Sequence, residues 1–437
     1  MRRTSRSWPA LPLALFLCLL TQAGQSQDLT LRRAIELTLT HSSSIGLAEA
    51  ERHRSGANYR EARSVYTPQV TVGAGLGYAY GFPLSLEGSA PTVFNVASQS
   101  SLFNPSQREF IRAAEADWGA SSSQSRDVRS KVLLDVVTSY IELNKWERKL
   151  PVLYAEKKVT ADMLHAVDER VKEGVDAPLE ETKTRLKAAQ AGFGVAQAEG
   201  SANVLRQHLA DLTGLPVASI STVASSIPAL PEPKEENNDT SPSLQGNPVV
   251  TAADLRANAE QFRARGEHKA LYPSADAAMQ YGLINTTLTD YAQFFRPGSF
   301  RENNVTVGVV IRLPLVNATQ RARAEAADAD ALRAKEQAQL ARTQVTGEIV
   351  RLQNAVRELT ASRDVAQVQN ELGQAELQAA QIRMQAKTAT LRELQEASLQ
   401  AVLDSGALMD SEFEAERAQL QLLYETGALA GWSEGAK

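Results

Sequence analysis

The sequence predicts a mainly α-helical chain that is internally duplicated and contributes four β-strands to a barrel shared between chains. Three observations lead to this prediction. An N-terminal segment has the layout of a secretory signal, a short motif returns 213 residues later in the same context, and each copy has alternating segments followed by a helical run of some sixty residues. We expect a twelve-stranded barrel and an α-helical tunnel in a trimer, built from long antiparallel helices and four transmembrane strands per chain.

Residues 1–27 are predicted to be a signal peptide, because three arginines precede an apolar run over 9–20 that is too short to span a membrane. The single cysteine, Cys18, lies in this run. The mature chain should therefore lack disulfides, thiolate catalysis and cysteine zinc sites. Without the three arginines its net charge is −8 rather than −5, which argues against a nucleic-acid partner.

The duplication sets the predicted domain boundaries. Leu-Phe-Asn-Pro-Ser-Gln-Arg at 102–108 returns as Leu-Val-Asn-Ala-Thr-Gln-Arg at 315–321. Arg170 and Arg383 are related by the same offset, and two separated matches in one register are hard to obtain by chance. The predicted organisation is a first repeat over 28–215, a proline-rich linker over 216–246, a second repeat over 247–430 and a tail over 431–437.

Each repeat opens with a helix that a proline ends, over 29–64 and over 249–271. The hydrophobic period then changes from 3.6 to 2, which predicts a β-hairpin at about 69–103 and another at about 275–316. One face of these strands is apolar, and the other is small or polar. The residues predicted to face lipid occupy the apolar face: Val70, Val72, Leu76, Tyr78, Tyr80, Phe94, Val96, Met279, Tyr281, Val305, Val307, Val309 and Ile311.

A long helix follows each hairpin, over about 106–167 and about 319–384, and a short turn at 174–178 or 387–390 leads into a returning helix. Pro178 suits a first helical turn, and Thr390 with Glu393 has capping-box spacing. Pro151 is expected to interrupt the first long helix.

Four strands cannot close a barrel, and open strand edges are not tolerated in lipid. Two chains would supply eight strands and three would supply twelve. The long helices favour three, because a twelve-stranded barrel leaves a bore that helices can continue, whereas an eight-stranded one is filled by side chains. From the alternation alone, soluble hairpins packed on a core remain an alternative.

The chain resembles the TolC-like outer-membrane efflux proteins (outer-membrane factors) over essentially all of its mature length. The resemblance rests on the duplicated plan, on Tyr-Thr-Pro-Gln-Val at 66–70, on the strand at 309–316 running into Asn317, and on Arg170 and Gly174 before the returning helix. It implies a homotrimer in the outer membrane with a periplasmic helical domain. It also implies an exit duct that an adaptor (membrane fusion) protein connects to an inner-membrane pump.

In that family the turns between the long helices form the closed periplasmic end, where the adaptor docks. The residues that the resemblance assigns as gate or docking candidates lie at these turns: Arg170, Gly174, Asp176, Arg383, Lys387, Arg392 and Glu393. Lys387 stands where the family pattern has a glycine. The alternative is that these charges belong to solvated helix faces.

No enzymatic constellation stands out in the sequence. The five histidines lack metal-ligand spacing, and the glycines at 73–77 lie in an alternating strand rather than before a helix. We therefore expect no catalytic residue, no metal and no cofactor. The predicted function is a passive efflux or type I secretion duct for small molecules or exported substrates. The alternative is an exported periplasmic coiled-coil scaffold or adaptor subunit without a pore.

Overall fold

The computed structural model describes residues 29–75, 92–231, 246–284 and 301–435, together with 293, 298 and 299. Predictions that fall on other residues, including the signal peptide, lie outside the described part. Within it, the chain is mainly helical with a few antiparallel strands, in agreement with the coarse fold class predicted from the sequence.

Both repeats run through the same order of elements. The first contains α1 (Leu31–His41), α2 (Ser43–Ser64), β1 (Gln69–Ala74), β2 (Thr92–Phe103), α3 (Pro105–Lys172) and α4 (Pro178–Thr213). The second contains α5 (Pro248–Lys269), β3 (Ser274–Ile284), β4 (Asn303–Arg312), α6 (Ala318–Gln385), α7 (Leu391–Glu425) and a short α8 (Leu429–Gly435). No helix among the described residues is long and apolar enough to cross a membrane.

The long helices α3 and α6 each have 68 residues, or about 100 Å at 1.5 Å per residue. Both begin at equivalent asparagines of the repeated motif. The Asn104 side chain accepts a hydrogen bond from the Gln107 N–H at 3.1 Å, and Asn317 accepts one from Gln320 at 2.9 Å. These N-caps turn the chain from strand into helix at the same point of each repeat.

Pro151 does not end α3, so the predicted interruption is wrong. An internal proline removes one backbone hydrogen bond and disfavours the helix. Here α3 packs against α4 and α7. Helix α4 contacts it on both sides of the proline, through Glu147 with Arg206 and through Tyr154 with Glu199, and this packing supports a continuous helix.

The two repeats lie side by side and leave two distinct edges. The sheet order is β1-β2-β3-β4, so the hairpins join through β2 and β3. The helices next to the sheet follow the order α2-α3-α5-α6, and those towards the turns follow α4-α3-α7-α6. One edge of the chain is therefore β1, α2 and α4, and the opposite edge is β4 and α6.

The largest core lies midway along α3, around the fully buried Tyr140. Its hydroxyl donates to the Leu29 carbonyl at 2.5 Å and accepts from the Val223 N–H at 2.8 Å. The described part of the predicted linker is thus packed rather than solvated, since Ile220 is buried in this core. The predicted tail is also partly helical, because α8 crosses the 430/431 boundary and Leu429 joins the core.

Candidate membrane-facing sheet and helical tips

The strand register brings the predicted lipid-facing residues onto one face of the sheet. Val72 lies opposite Val96, Val96 opposite Tyr281, and Tyr281 opposite Val305. Directly paired residues point to the same side of a sheet, so these four residues form one row across all strands. The same face carries Val70, Phe94, Met279, Val307, Val309 and Ile311, whereas the predicted Leu76, Tyr78 and Tyr80 lie outside the described residues.

This apolar face is uncovered in the single chain. Val307 is 73% exposed and Ile311 is 72% exposed. The exposed Val305, Val307, Val309 and Ile311 of β4 mark a surface that contacts something apolar in the assembled molecule. Two serines, Ser98 and Ser100, interrupt the face on β2.

The opposite face of the sheet is polar. It carries Thr71, Gln99, Gln280 and Thr306, and near the helices it carries an ion pair between Asp276 and Arg312. The sheet thus has one face suited to lipid and one suited to water, which is the alternation of a strand in a membrane barrel.

We call the connection between α3 and α4, with the helix ends beside it, tip 1 (residues 168–183). An ion pair closes this connection. Arg170 donates from Nε to Asp176 Oδ2 at 2.8 Å and from Nη2 to Oδ1 at 3.1 Å. Gly174 provides the left-handed backbone of this turn, with φ of +73°. The hydrogen bond from Arg170 lowers the pKa of the Asp176 carboxyl below its ordinary value.

The second turn, tip 2 (residues 381–396), has the same backbone with different side chains. The carbonyl of Arg383 accepts from the N–H groups of Thr388 at 2.8 Å and Ala389 at 3.2 Å, as the Arg170 carbonyl does in tip 1. Lys387 takes the left-handed position, with φ of +57°, and Ala389 stands where tip 1 has Asp176. Neither Arg383 nor Lys387 forms an ion pair with a described residue, and both are exposed.

The other two candidates of tip 2 have partners. The Glu393 N–H donates to Thr390 Oγ1 at 3.2 Å, and the threonine hydroxyl donates to the Glu393 carboxylate at 3.2 Å, which confirms the predicted cap. Arg392 lies 3.2 Å from Glu396 of its own helix and 3.2 Å from Glu180 of tip 1.

Glu180 was not identified from the sequence. It also pairs with Lys183 at 2.8 Å, and both cations lower the pKa of the Glu180 carboxyl, Lys183 more strongly. The signal that could have suggested a tip role is its place in the first turn of a helix just after a candidate turn.

The helices at the two edges of the chain also carry residues that sequence reasoning missed. On α4, exposed apolar side chains recur every seven residues at Leu179, Leu186 and Phe193. On α6, a matching exposed stripe has heptad spacing: Val365, Val368, Leu372 and Ile382. Because each stripe lies apart from the buried face of its helix, each helix can pack against a further helix.

Comparisons with known proteins show which folds share this arrangement. Residues 34–215 match the family model for outer membrane efflux proteins. The cobalt-zinc-cadmium resistance protein CzcC of Cupriavidus metallidurans is 24% identical over 48% of this chain and 47% of its own length. The chain therefore matches about half the length of that curated relative.

Solved structures extend the similarity to nearly the whole chain. CusC is 16% identical with a TM-score of 0.73, over 97% of this chain and 99% of CusC. VceC of Vibrio cholerae is 20% identical with a TM-score of 0.72, over 91% and 96%. MtrE of Neisseria gonorrhoeae, in its open state, is 18% identical with a TM-score of 0.72, over 92% and 90%.

The fold is therefore that of an outer-membrane channel subunit. The family match over residues 34–215 and the shared fold agree with the resemblance to the TolC-like outer-membrane efflux proteins that the sequence predicts. The matched family and these solved neighbours are outer-membrane proteins, which agrees with the localisation predicted from the sequence. The family consists of transport proteins without enzymatic activity.

Proposed function

We propose that three copies of this chain form a passive outer-membrane duct through which substrates leave the cell. A periplasmic adaptor joins the duct to an inner-membrane pump, which supplies the substrate and the energy. The observation that carries this proposal is that the single chain has two pairs of complementary edges, one pair in the sheet and one in the helices.

The first pair of edges belongs to the sheet. Within the described part of the chain, strands β1 and β4 each have a neighbour on one side only, so each carries a row of backbone N–H and C=O groups without a strand partner there. In lipid such groups must be paired. Pairing β1 of one copy with β4 of the next satisfies both rows, and three copies close a barrel of twelve strands with the apolar face outwards.

The second pair of edges belongs to the helices. The exposed stripe of α4 lies on the same edge of the chain as β1, and the stripe of α6 lies on the same edge as β4. The rotation between copies that pairs β1 with β4 therefore also brings α4 of one copy against α6 of the next. Because one rotation serves both contacts, the assembly closes as a ring of identical head-to-tail interfaces.

The tips form the periplasmic end of this duct. The pair between Arg392 and Glu180 connects the returning helices of the two repeats, and the pair between Arg170 and Asp176 stabilises tip 1. Both can hold the resting end closed, and their separation would widen it. The exposed turns around Gly174 and Lys387 are where the adaptor docks.

Cysteine crosslinking tests the ring directly, because the only native cysteine is Cys18, in the predicted signal peptide. Helices α4 and α6 run antiparallel across the proposed interface, which places Leu186 near Ala379. The L186C/A379C variant should give a disulfide-linked trimer on mild oxidation. The matched control, L186C/Q378C, moves one cysteine off the stripe and should crosslink poorly. Equal crosslinking of both variants, or dimers alone, would contradict the ring.

A periplasmic scaffold or adaptor without a pore remains the competing function. It predicts release from outer membranes by alkaline carbonate and no conductance in planar bilayers. The proposed duct predicts extraction only by detergent and a step-like conductance. The two outcomes exclude each other, so a single preparation distinguishes the two functions.

A further inference from the structure

The two tips are copies of one unit, yet their charges differ. Tip 1 contains six acidic and three basic residues, whereas the equivalent residues of tip 2 contain two acidic and three basic ones. Two of the charge differences lie in the turn itself. Gly174 of tip 1 is replaced by Lys387, and Asp176 is replaced by Ala389.

The cations of tip 1 are all paired within the tip. Arg170 binds Asp176 at 2.8 Å, Lys172 binds Asp168 at 2.6 Å, and Lys183 binds Glu180 at 2.8 Å. Tip 1 therefore offers no unpaired cation to a partner, and its surplus charge is negative.

Tip 2 presents the opposite situation. Arg383 has no carboxylate partner in the turn, because Ala389 stands at the position of Asp176. Lys387 lies at the apex of the turn and has no ion-pair partner among the described residues. A non-glycine residue with φ of +57° is also strained, since its Cβ crowds the backbone. Glycine at this position in tip 1 avoids that cost. A strained, exposed cation in place of a relaxed glycine points to a use for its charge.

We propose that tip 2 docks a surface of the adaptor that presents carboxylates, with Lys387 and Arg383 as the contacts, and that tip 1 does not. This inference rests on the proposed function, in which the tips face the adaptor in the periplasm. A partner that covers every tip of the trimer must then use two kinds of contact. Adaptor carboxylates that bind tip 2 would be repelled by the acidic residues of tip 1, whose cations are already paired within the tip.

The ring offers one competing source of carboxylates. In the proposed trimer, tip 2 of one copy lies beside tip 1 of the next, where Glu173 is exposed and has no ion pair among the described residues. Pairing of Lys387 with Glu173 of a neighbouring copy would lock the ring instead of binding the adaptor.

Zero-length crosslinking distinguishes these sources. A water-soluble carbodiimide joins a lysine side chain to a carboxylate in contact through an amide bond. Applied to native envelopes, it should link Lys387 to an aspartate or glutamate of a different protein, as read by mass spectrometry. A link from Lys387 to this chain's own carboxylates, or no link at all, would overturn the proposal.

A binding assay tests the charge itself. The probe is a fluorescently labelled hexaglutamate peptide added to the purified trimer at low salt, with hexalysine as the control. K387G and A389D should each weaken hexaglutamate binding by about two- to fivefold, the range that one exposed charge provides. K387R keeps the cation and should bind normally, whereas K387Q keeps the strain and should bind weakly.

The repeats also allow a gain of function. G174K/D176A gives tip 1 the residues of tip 2 and should strengthen hexaglutamate binding. Unchanged affinity across all these variants would refute the proposal. Trimer mass and bilayer conductance are measured on the same samples. A conducting trimer with unchanged affinities overturns this inference alone, and the absence of a trimer overturns the proposed function with it.

Discussion

Arg392 lies 3.2 Å from Glu180, and this ion pair joins the first turn of α7 to the first turn of α4. An arginine in the first turn of a helix opposes the helix dipole, which favours anions at that end. Arg392 is compensated by Glu180 and by Glu396, also at 3.2 Å. The contact with Glu180 crosses between the repeats, so it can hold the two helical hairpins together at the tip.

Breaking this contact should loosen the closed end. R392A is expected to raise the single-channel conductance in planar bilayers without lowering the yield of trimer. The pair is exposed and therefore weak, but it occurs three times in the proposed trimer. R417A is the matched control, because Arg417 pairs with Glu414 within α7 and does not join the repeats. The same conductance for both variants would remove Arg392 from the gate.

The strand faces make a second prediction. V309R should prevent assembly in the outer membrane, since a cation near the middle of the bilayer costs about 2 to 4 kcal/mol. T306R should assemble normally, because Thr306 lies on the polar face opposite Gln280. The measurement is the amount of trimer in purified outer membranes. Similar amounts for the two variants would mean that the faces are assigned the wrong way round.

The pH dependence of tip 1 follows from its lowered carboxyl pKa values. Arg170 lowers the pKa of Asp176, and Lys183 and Arg392 lower that of Glu180. A group with a lowered pKa stabilises the paired state above its ordinary pKa and loses this effect as the pH falls through the lowered value. We therefore expect conductance to stay constant from neutral pH down to about pH 4 and to rise below it. A rise near pH 6 would exclude these carboxylates as its cause.

The pKa of the Glu416 carboxyl is shifted upwards, opposite to the shifts of Asp176 and Glu180, so its effect on stability has the opposite pH dependence. Burial raises the pKa of its carboxyl, and repulsion from Glu412 adds to this, while Arg148 and Arg363 oppose it. The ionised form therefore destabilises the fold at neutral pH, and this penalty disappears as the pH falls below the ordinary carboxyl pKa. E416Q should raise the unfolding temperature at pH 7 but not at pH 4. E414Q, at a residue of the same helix whose carboxylate pairs with Arg417 at 3.4 Å, should show no such pH-dependent gain.

The two asparagine N-caps allow a test of the duplicated helix starts. N104A and N317A should each lower the free energy of unfolding by about 1 kcal/mol, because each removes the acceptor for an N–H of the first turn. N354A is the control, since Asn354 lies within α6 and its amide donates to the Val350 carbonyl at 3.0 Å instead of capping a helix start. Chemical denaturation of the detergent-solubilised protein provides the measurement. Equal losses in all three variants would mean that the capping bonds do not contribute.

Much of the local structure could be predicted from the sequence. The change of period at Pro68 and Pro273 located the strands, and alternation assigned Val72 and Val309 to one face. The turns were located by Gly174 and by the capping pair of Thr390 and Glu393. These features depend on backbone preferences and on neighbours within a few residues, and both can be read from the sequence alone.

The tertiary structure decided what joins distant parts of the chain. It placed β2 beside β3, packed Ile220 of the supposed linker into the core, and brought Glu180 to Arg392 across 212 positions. It also kept Pro151 inside α3. None of these follows from local preference, because each depends on the free energy of burying surfaces that meet only after folding. The duplication and the elements of each repeat are thus determined by local sequence, whereas the edges, the core and the partners at the tips are determined by packing.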